Sequence, residues 1–230
     1  MFGKSILVVG QGRVGKSGLC FDLISGKAPD IIPKLGREKE KWIIISPRKS
    51  HPYFYSLDRI TDSEEKGDEP LREKMIRAYN ESKTHLFIRV KSDNAALFDI
   101  LGEENEDDPT LAPFYSASIY IDEVGIVLST SPMENAFKNF IRVVGQNNQI
   151  LLMSTHRITG DTPPIVSNNT MSIYLVGSMP KQSEAKSLYD NGNMEEEWGD
   201  FWERIRKGVP KYDWWDKRNP AAITVIKETS

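Results

Sequence analysis

The sequence predicts an α/β protein, with a mainly parallel sheet and helices on both of its faces. Three features point to it. Residues 4–9 (KSILVV), 42–45 (WIII), 118–122 (SIYID) and 150–154 (ILLMS) are short, almost wholly apolar runs, the pattern of strands buried on both sides. Stretches of helical propensity alternate with them. A glycine-rich stretch closes the first strand and opens the first helix, which is where such sheets hold phosphate.

The length of 230 residues fits one domain of ordinary size. With 39% hydrophobic and 27% charged residues the chain can form a sizeable core, and global disorder is excluded. No apolar run reaches the roughly 18–20 residues of a membrane span. The start, MFGKSILVVGQGRVG, reads as a buried strand rather than a secretory signal. One cysteine, Cys20, leaves no disulfide framework and no Cys-rich zinc site, and fits a reducing, intracellular setting. Thirty basic residues stand against 33 acidic ones, a net charge of −3. A protein that coats itself broadly with nucleic acid is usually basic. Any such contact here is therefore local, or made by an assembly with a basic lining.

The first strand, 4–9, leads into a helix over 15–25, with Leu19, Phe21 and Leu23 available for packing. Lys27 to Lys41 is polar, holds two prolines and reads as loop. Pro47 closes the strand at 42–45, and a loop and an acidic stretch, 62–70, follow. Residues 71–80 (LREKMIRAYN) are helical by propensity. HLFIRV at 85–90 is a strand, and 94–101 (NAALFDIL) is a helix capped by Ser92 or Asp93. Residues 103–109 form a second acidic loop, and both acidic loops read as solvated insertions. After the strand at 118–122, a helix over 133–146 carries Phe137, Phe140, Ile141 and Val144 at i, i+3, i+4 and i+7. Strands at 150–154 and 172–176, helices at 181–190 and 194–207, and a last strand at 221–226 complete the chain. Residues 1–190 form the expected main domain, and 191–230 an aromatic and basic extension packed on it.

The most informative stretch is Gly10-Gln11-Gly12-Arg13-Val14-Gly15-Lys16-Ser17, which satisfies G-x-x-x-x-G-K-[ST] between a strand and a helix. Its glycines let backbone N–H groups curl around phosphate oxygens, and the helix N-terminus adds its positive dipole end. Lys16 suits the β- and γ-phosphates of ATP, and Ser17 suits Mg²⁺. Asp122 and Glu123 stand at the C-terminal end of a buried strand, the edge where parallel sheets bind ligands. Asp122 fits the Mg²⁺ shell, as a Walker B aspartate does, and Glu123 fits a general base that polarises the attacking water. A helix cap or a solvated strand end is the plainer reading of the pair.

Asp122-Glu123-Val124-Gly125 also satisfies the D-x-x-G pattern of GTPases, but no N-K-x-D or T-K-x-D stretch is present to read guanine. Small-molecule kinases carry an Arg-rich lid, a part open to Arg204 and Arg206. Glu123 directly after the strand aspartate points to water activation instead. The strand at 150–154 runs out into Ser154, Thr155, His156 and Arg157. A polar group there can sense a γ-phosphate, and an imidazole can donate to a phosphate oxygen, although a lone histidine is ordinarily structural.

Taken together, GQGRVGKS at 10–17, IYIDE at 119–123, the 133–146 helix and LLMSTHR at 151–157 resemble the FtsK/HerA superfamily of DNA-pumping ATPases. They are most similar to its viral branch, the genome-packaging ATPases of double-stranded DNA viruses with internal membranes. KWIIISPRKS at 41–50 also looks like the family's second strand, which often ends Asp-Pro-Lys; here Ser46-Pro47-Arg48 lacks the acid. His156 replaces the usual glutamine. The resemblance covers roughly residues 4–190. It implies a RecA-like sheet, ATP hydrolysis with Mg²⁺, a homo-oligomeric ring such as a hexamer, and double-stranded DNA as the moved polymer. It also implies a place on the virion or in the host cytoplasm, with capsid vertex or membrane proteins of the virion as partners. The family places a trans-acting arginine just before the strand at 150–154. Arg142, off the apolar stripe beside Lys138, Asn139 and Gln146, is the first candidate, and Arg157 the second.

For DNA contact, Trp198, Trp202, Trp214 and Trp215 interleave with Arg204, Arg206, Lys207, Lys211, Lys217 and Arg218. An aromatic packing face is the plainer reading. Lys34, Arg37, Lys39 and Lys41 form a second basic segment able to line a ring pore. The leading function is an ATP-hydrolysing DNA translocase that packages a viral genome into a preformed capsid; the alternatives are a P-loop small-molecule kinase or GTPase, and a nucleotide-switched assembly protein.

Overall fold

A computed structural model of the chain describes residues 4–10, 14–27, 32, 35–37, 40–51, 53–54, 57–64, 69–156, 162–177, 181–191, 194–207 and 223–228. Gln11, Gly12, Arg13, Lys34, Lys39, Arg157, Lys211, Trp214, Trp215, Lys217 and Arg218 lie outside the described residues.

The elements run β1 (Ser5–Val9), α1 (Lys16–Ile24), β2 (Trp42–Ser46), β3 (Asp58–Thr61), α2 (Leu71–Glu81), β4 (Leu86–Arg89) and α3 (Ala96–Leu101). A 3-10 turn at Pro109–Leu111 precedes β5 (Ser118–Ile121), α4 (Val124–Val127), α5 (Ser131–Val143) and β6 (Ile150–Thr155). Then come α6 (Pro164–Asn168), β7 (Ser172–Val176), α7 (Gln182–Asn191), α8 (Trp198–Lys207) and β8 (Ile223–Glu228). One eight-stranded sheet has the order β3-β4-β2-β5-β6-β1-β7-β8. Its pairs are parallel except β7 with β8. Among the described residues no helix is long and apolar enough to cross a membrane.

The continuous apolar strands feed two cores by alternation. Ile43, Ile45, Ile119, Ile121, Leu151 and Met153 face the core shared with α2, α3 and α5. Trp42, Ile44, Tyr120, Ile150 and Leu152 face the core shared with α1. Such two-sided burial is why these runs show no polar alternation in sequence. On the first face Phe98 of α3 stacks against Phe137 and Phe140 of α5, with ring centroids 5.2 and 5.7 Å apart.

Several expectations are corrected. β3 had been read as loop, because Asp58-Arg59-Ile60-Thr61 lacks an apolar run; it is an edge strand with only its β4 side paired. The short helices α4 and α6 also went unread. α5 starts at Ser131, with Pro132 in its first turn, and ends at Val143. Neither Ser92 nor Asp93 caps α3, whose cap position is Ala95. The acidic stretch at 62–70 is not wholly solvated: Asp62 is fully buried and accepts from the backbone N–H groups of Lys91, Ser92 and Asn94 at 2.7–3.1 Å. It does the work assigned to the cap, from a distant part of the chain.

Asp62→Ala would leave those three donors unpaired inside the protein. Each such donor costs about 1–3 kcal/mol, and relaxation recovers part of that. Urea unfolding should show a loss of about 3 kcal/mol. A loss near zero would mean that water reaches the turn.

Candidate functional site

The strand order creates the site. β6 lies between β1, which leads into the phosphate loop, and β5, which leads into Asp122-Glu123. The pairings Ile45 with Ile121 and Ile121 with Met153 bring Ser46, Asp122 and Ser154 level at the next rung. On β2, β5 and β6 the residues just before this rung are apolar, and the rung itself is polar. Ser46 Oγ donates to Asp122 Oδ2 at 2.9 Å, and Ser154 Oγ lies 3.2 Å from Asp122 Oδ1. Tyr120 OH, two residues back on the same strand face, adds a bond to Oδ1 at 3.1 Å. Asp122 is fully buried, and these three donors compensate its lost hydration.

Glu123 is 2% exposed and has φ 55° and ψ 54°, a left-handed conformation that glutamate rarely adopts. Its N–H donates to Ser154 Oγ at 3.2 Å. Burial raises its carboxyl pKa against the opposing charges of Lys16 and Arg48. Oε1 receives Arg48 Nη2 at 2.8 Å and lies 2.8 Å from His156 Nε2. His156 Nδ1 in turn lies 3.0 Å from Lys16 Nζ. A lysine ammonium only donates, so Nδ1 accepts and Nε2–H points to Glu123. One imidazole therefore links the phosphate-loop lysine to the candidate base. Burial lowers the Lys16 pKa, with Glu123 working the other way.

The described ends of the phosphate loop have a backbone suited to glycine. Gly15 caps α1 at φ 98°, a left-handed position. A Cβ on Gly10 would stand 2.4 Å from the Val176 carbonyl oxygen, so glycine alone fits there. Lys16 and Ser17 open α1, and Lys16 is buried to 5% exposure. Gly10, Gly15 and Lys16, as placed, are of the kinds that a nucleotide phosphate needs. Among the described residues no cluster of three histidine, cysteine or acidic side chains could hold a metal unaided. Ser17 and Asp122 suit Mg²⁺ that brings phosphate oxygens and water as its other ligands.

Other residues fall elsewhere. Arg142 is exposed near the C-terminal end of α5, which returns the chain from β5 to the start of β6. It therefore stands toward the opposite edge of the sheet from its own chain's phosphate loop. It makes no ion pair among the described residues. Arg204 does not form a lid: it pairs with Glu196 and donates to the carbonyls of Val225 at 2.8 Å and Ile226 at 3.1 Å on β8. Trp198 and Trp202 stack on each other with centroids 6.0 Å apart, and Trp198 packs on Tyr189 and Phe201. Of the basic segment at 34–41, Arg37 donates to the Ser116 and Asn148 carbonyls and Lys41 to that of Tyr79. Arg37 thus ties two loops together, and Lys41 ties the start of β2 to α2.

Sequence reasoning missed Arg48 and His51. Arg48 Nε also approaches Asp122 Oδ2 at 3.5 Å. Ser46 was noted only for its missing acid, and that same absence was the available signal.

The αL backbone at Glu123 costs on the order of 1–2 kcal/mol. Glu123→Gly relieves it and removes a buried carboxylate. Its urea midpoint should rise by the equivalent of about 1 kcal/mol. A fall would show that the bonds from Arg48 and His156 outweigh the strain.

The architecture is shared with solved structures along the whole chain. B204, the genome-packaging NTPase of Sulfolobus turreted icosahedral virus 2, matches in its sulfate complex with a TM-score of 0.56 at 16% identity, over 99% of each chain. Its ATP-γS complex gives 0.54 at 17% identity over 100% of each. B204 of Sulfolobus turreted icosahedral virus, a DNA-packaging ATPase, gives 0.52 at 18% identity, again over 100% of each. No protein-family model matches, and no curated protein matches by sequence. With β6 between the phosphate-loop strand and the acidic strand, the chain has the RecA-like P-loop NTPase fold.

Proposed function

We propose that this protein is an ATP-hydrolysing motor that moves double-stranded DNA, with packaging of a viral genome into a preformed capsid as its task. The observation that carries the hydrolytic part is the chain Lys16–His156–Glu123, which sets a buried base one imidazole from the phosphate-loop lysine. Support for the packaging part is the full-length likeness to B204. The kinase reading loses its lid, since Arg204 is bound to Glu196 and β8.

In this reading Lys16 and the backbone of 10–17 bind the phosphates of ATP, and Ser17 and Asp122 hold Mg²⁺. The metal supplies charge to the phosphate oxygens. Glu123, its basicity raised by burial, takes the proton of the attacking water at its carboxylate. In the arrangement seen, Oε1 is engaged by Arg48 and His156. Those donors must turn toward phosphate before the oxygen is free to accept. Arg142 acts in trans as the arginine finger of a ring, with Arg157 the next candidate. The working form is a homo-oligomer, a hexamer in the simplest case, associated with the virion or the host cytoplasm and docked to capsid vertex or membrane proteins. That residues 191–230 belong with the 1–190 domain is supported by β8, which pairs with β7 in its sheet.

ATP turnover should rise when duplex DNA is added, and the rise should shrink with salt as counterion release demands. Turnover indifferent to DNA at every salt concentration would leave the switch-protein reading. Glu123→Gln should keep ATP binding and slow hydrolysis about 10²-fold or more.

Arg142→Ala should bind ATP nearly normally yet hydrolyse it poorly, because a finger is worth ~10³–10⁵ in rate where it acts in trans. Mixing it with Lys16→Ala should restore part of the activity in a concentration-dependent way. Absence of rescue in an assembled ring moves the role to Arg157.

A further inference from the structure

We infer that His51 is a positioning residue for Asp122, an inference that rests on the proposed reading of Asp122 as the carboxylate that holds Mg²⁺. His51 follows β2 on the same loop as Arg48 and is wholly buried. Its ring is wedged among aromatic rings, 4.8 Å from Phe54, 5.9 Å from Tyr53 and 6.4 Å, edge-on, from Tyr120. Nδ1 accepts the N–H of Tyr53 at 3.3 Å. The neutral imidazole therefore carries its proton on Nε2. That buried N–H has no hydrogen-bond partner among the described residues, and Asp122 Oδ2 lies 3.8 Å away.

A buried donor without an acceptor is uncommon, because it has given up water and gained nothing. Here an acceptor is close, with one hydrogen bond taken and a cation against the same oxygen. Oδ2 takes Ser46 Oγ at 2.9 Å and faces Arg48 Nε at 3.5 Å. The two neighbours differ in freedom. Arg48 has a side chain 40% exposed and can swing away; His51 is fully enclosed. Hydrogen bonding needs Nε2 and Oδ2 to close to about 2.9 Å, a movement of under about 1 Å that a small rotation of the carboxylate supplies.

When Arg48 withdraws, the Nε2–H of His51 takes its place on Oδ2. Ser46, Tyr120 and Ser154 still donate to the slightly turned carboxylate, but a neutral donor has replaced a cation. Asp122 then presents its full negative charge to Mg²⁺ in a fixed orientation. A histidine N–H that orients a metal-binding carboxylate acts as other outer partners of metal ligands do.

The test measures ATP-γS binding by calorimetry, in EDTA and at rising Mg²⁺, on the full chain. His51→Phe keeps the aromatic packing and removes the donor. It should raise the Mg²⁺ midpoint about tenfold or more, the scale for losing such a partner, and leave the affinity in EDTA unchanged. His51→Gln, with an amide donor, should bring the midpoint back toward that of the unmodified protein. An unmoved midpoint in His51→Phe overturns the inference. So does an equal loss in both variants accompanied by lowered melting temperature, which marks a packing role. In the unmodified protein the Nε2 proton of His51 should shift downfield in the NMR spectrum when Mg²⁺ and AMPPCP are added. An unmoved resonance overturns the inference even if neither variant folds. Asp122→Asn separates the two readings. If it retains the Mg²⁺ effect, the role of Asp122 fails and His51 with it; if it loses the effect while His51→Phe does not, only the inference about His51 fails.

Discussion

A fully buried carboxylate at the end of the central strand is the constraint around which this site is organised. An ionised acid taken out of water is costly unless donors surround it. Asp122 has Ser46 from β2, Tyr120 from its own strand and Ser154 from β6. These are polar residues on strands that are otherwise apolar where they cross the core, and each faces one acid. The same rung ends Glu123 in a left-handed turn, held through its N–H by Ser154. Loss of the rung would loosen both carboxylates at once, since Ser154 Oγ donates to Asp122 and accepts the backbone N–H of Glu123.

The Ser46 position shows how one residue changes the electrostatics of its neighbours. The resembling family often has an aspartate there. A second carboxylate 2.9 Å from Asp122 Oδ2, the present Ser46 distance, would force one of the two to hold a proton. Serine donates instead, and its Oγ also accepts the Arg48 N–H at 3.2 Å. The loop after β2 can then place an arginine over both acids.

The sheet and the phosphate loop were legible because their signals are local. SILVV, WIII, SIYI and SIYLV are buried on both faces, and burial on both faces writes itself as an unbroken apolar run. β3 was not legible because it is an edge strand whose residues are half-exposed or exposed. Asp62 looked like one more acid in a charged stretch. Its partners at 91–94 lie some thirty positions away, and only the pairing of β3 with β4 brings them together. Arg48 and His51 were missed for the same reason. Their contacts to Asp122 and Glu123 cross more than seventy positions of sequence, and no spacing rule reaches that far. Pairing Asp122 and Glu123 with Lys16 needed only the motif; joining Glu123 to Lys16 through His156 needed the strand order.

The geometry also bears on why one chain is not a complete machine in the proposed reading. The cations that the described residues bring to the acidic pair are Lys16 and Arg48. Arg48 lies on Glu123 directly, and Lys16 reaches it through His156. As long as both stay there, the positive charge stabilises the base rather than any phosphate. Moving them to a phosphate releases Glu123 but leaves its buried negative charge less compensated, which raises its basicity further. Binding and activation are thus the same rearrangement. In the proposed reading that rearrangement commits Lys16 and Arg48, the cations that the described residues bring to the acidic pair, to ground-state contacts. Charge that develops only in the transition state calls for a donor that is not already engaged. Arg142 stands toward the far edge of its own sheet and cannot supply one in cis. Arg142 is exposed at that edge, so the proposed reading assigns it to a neighbouring copy.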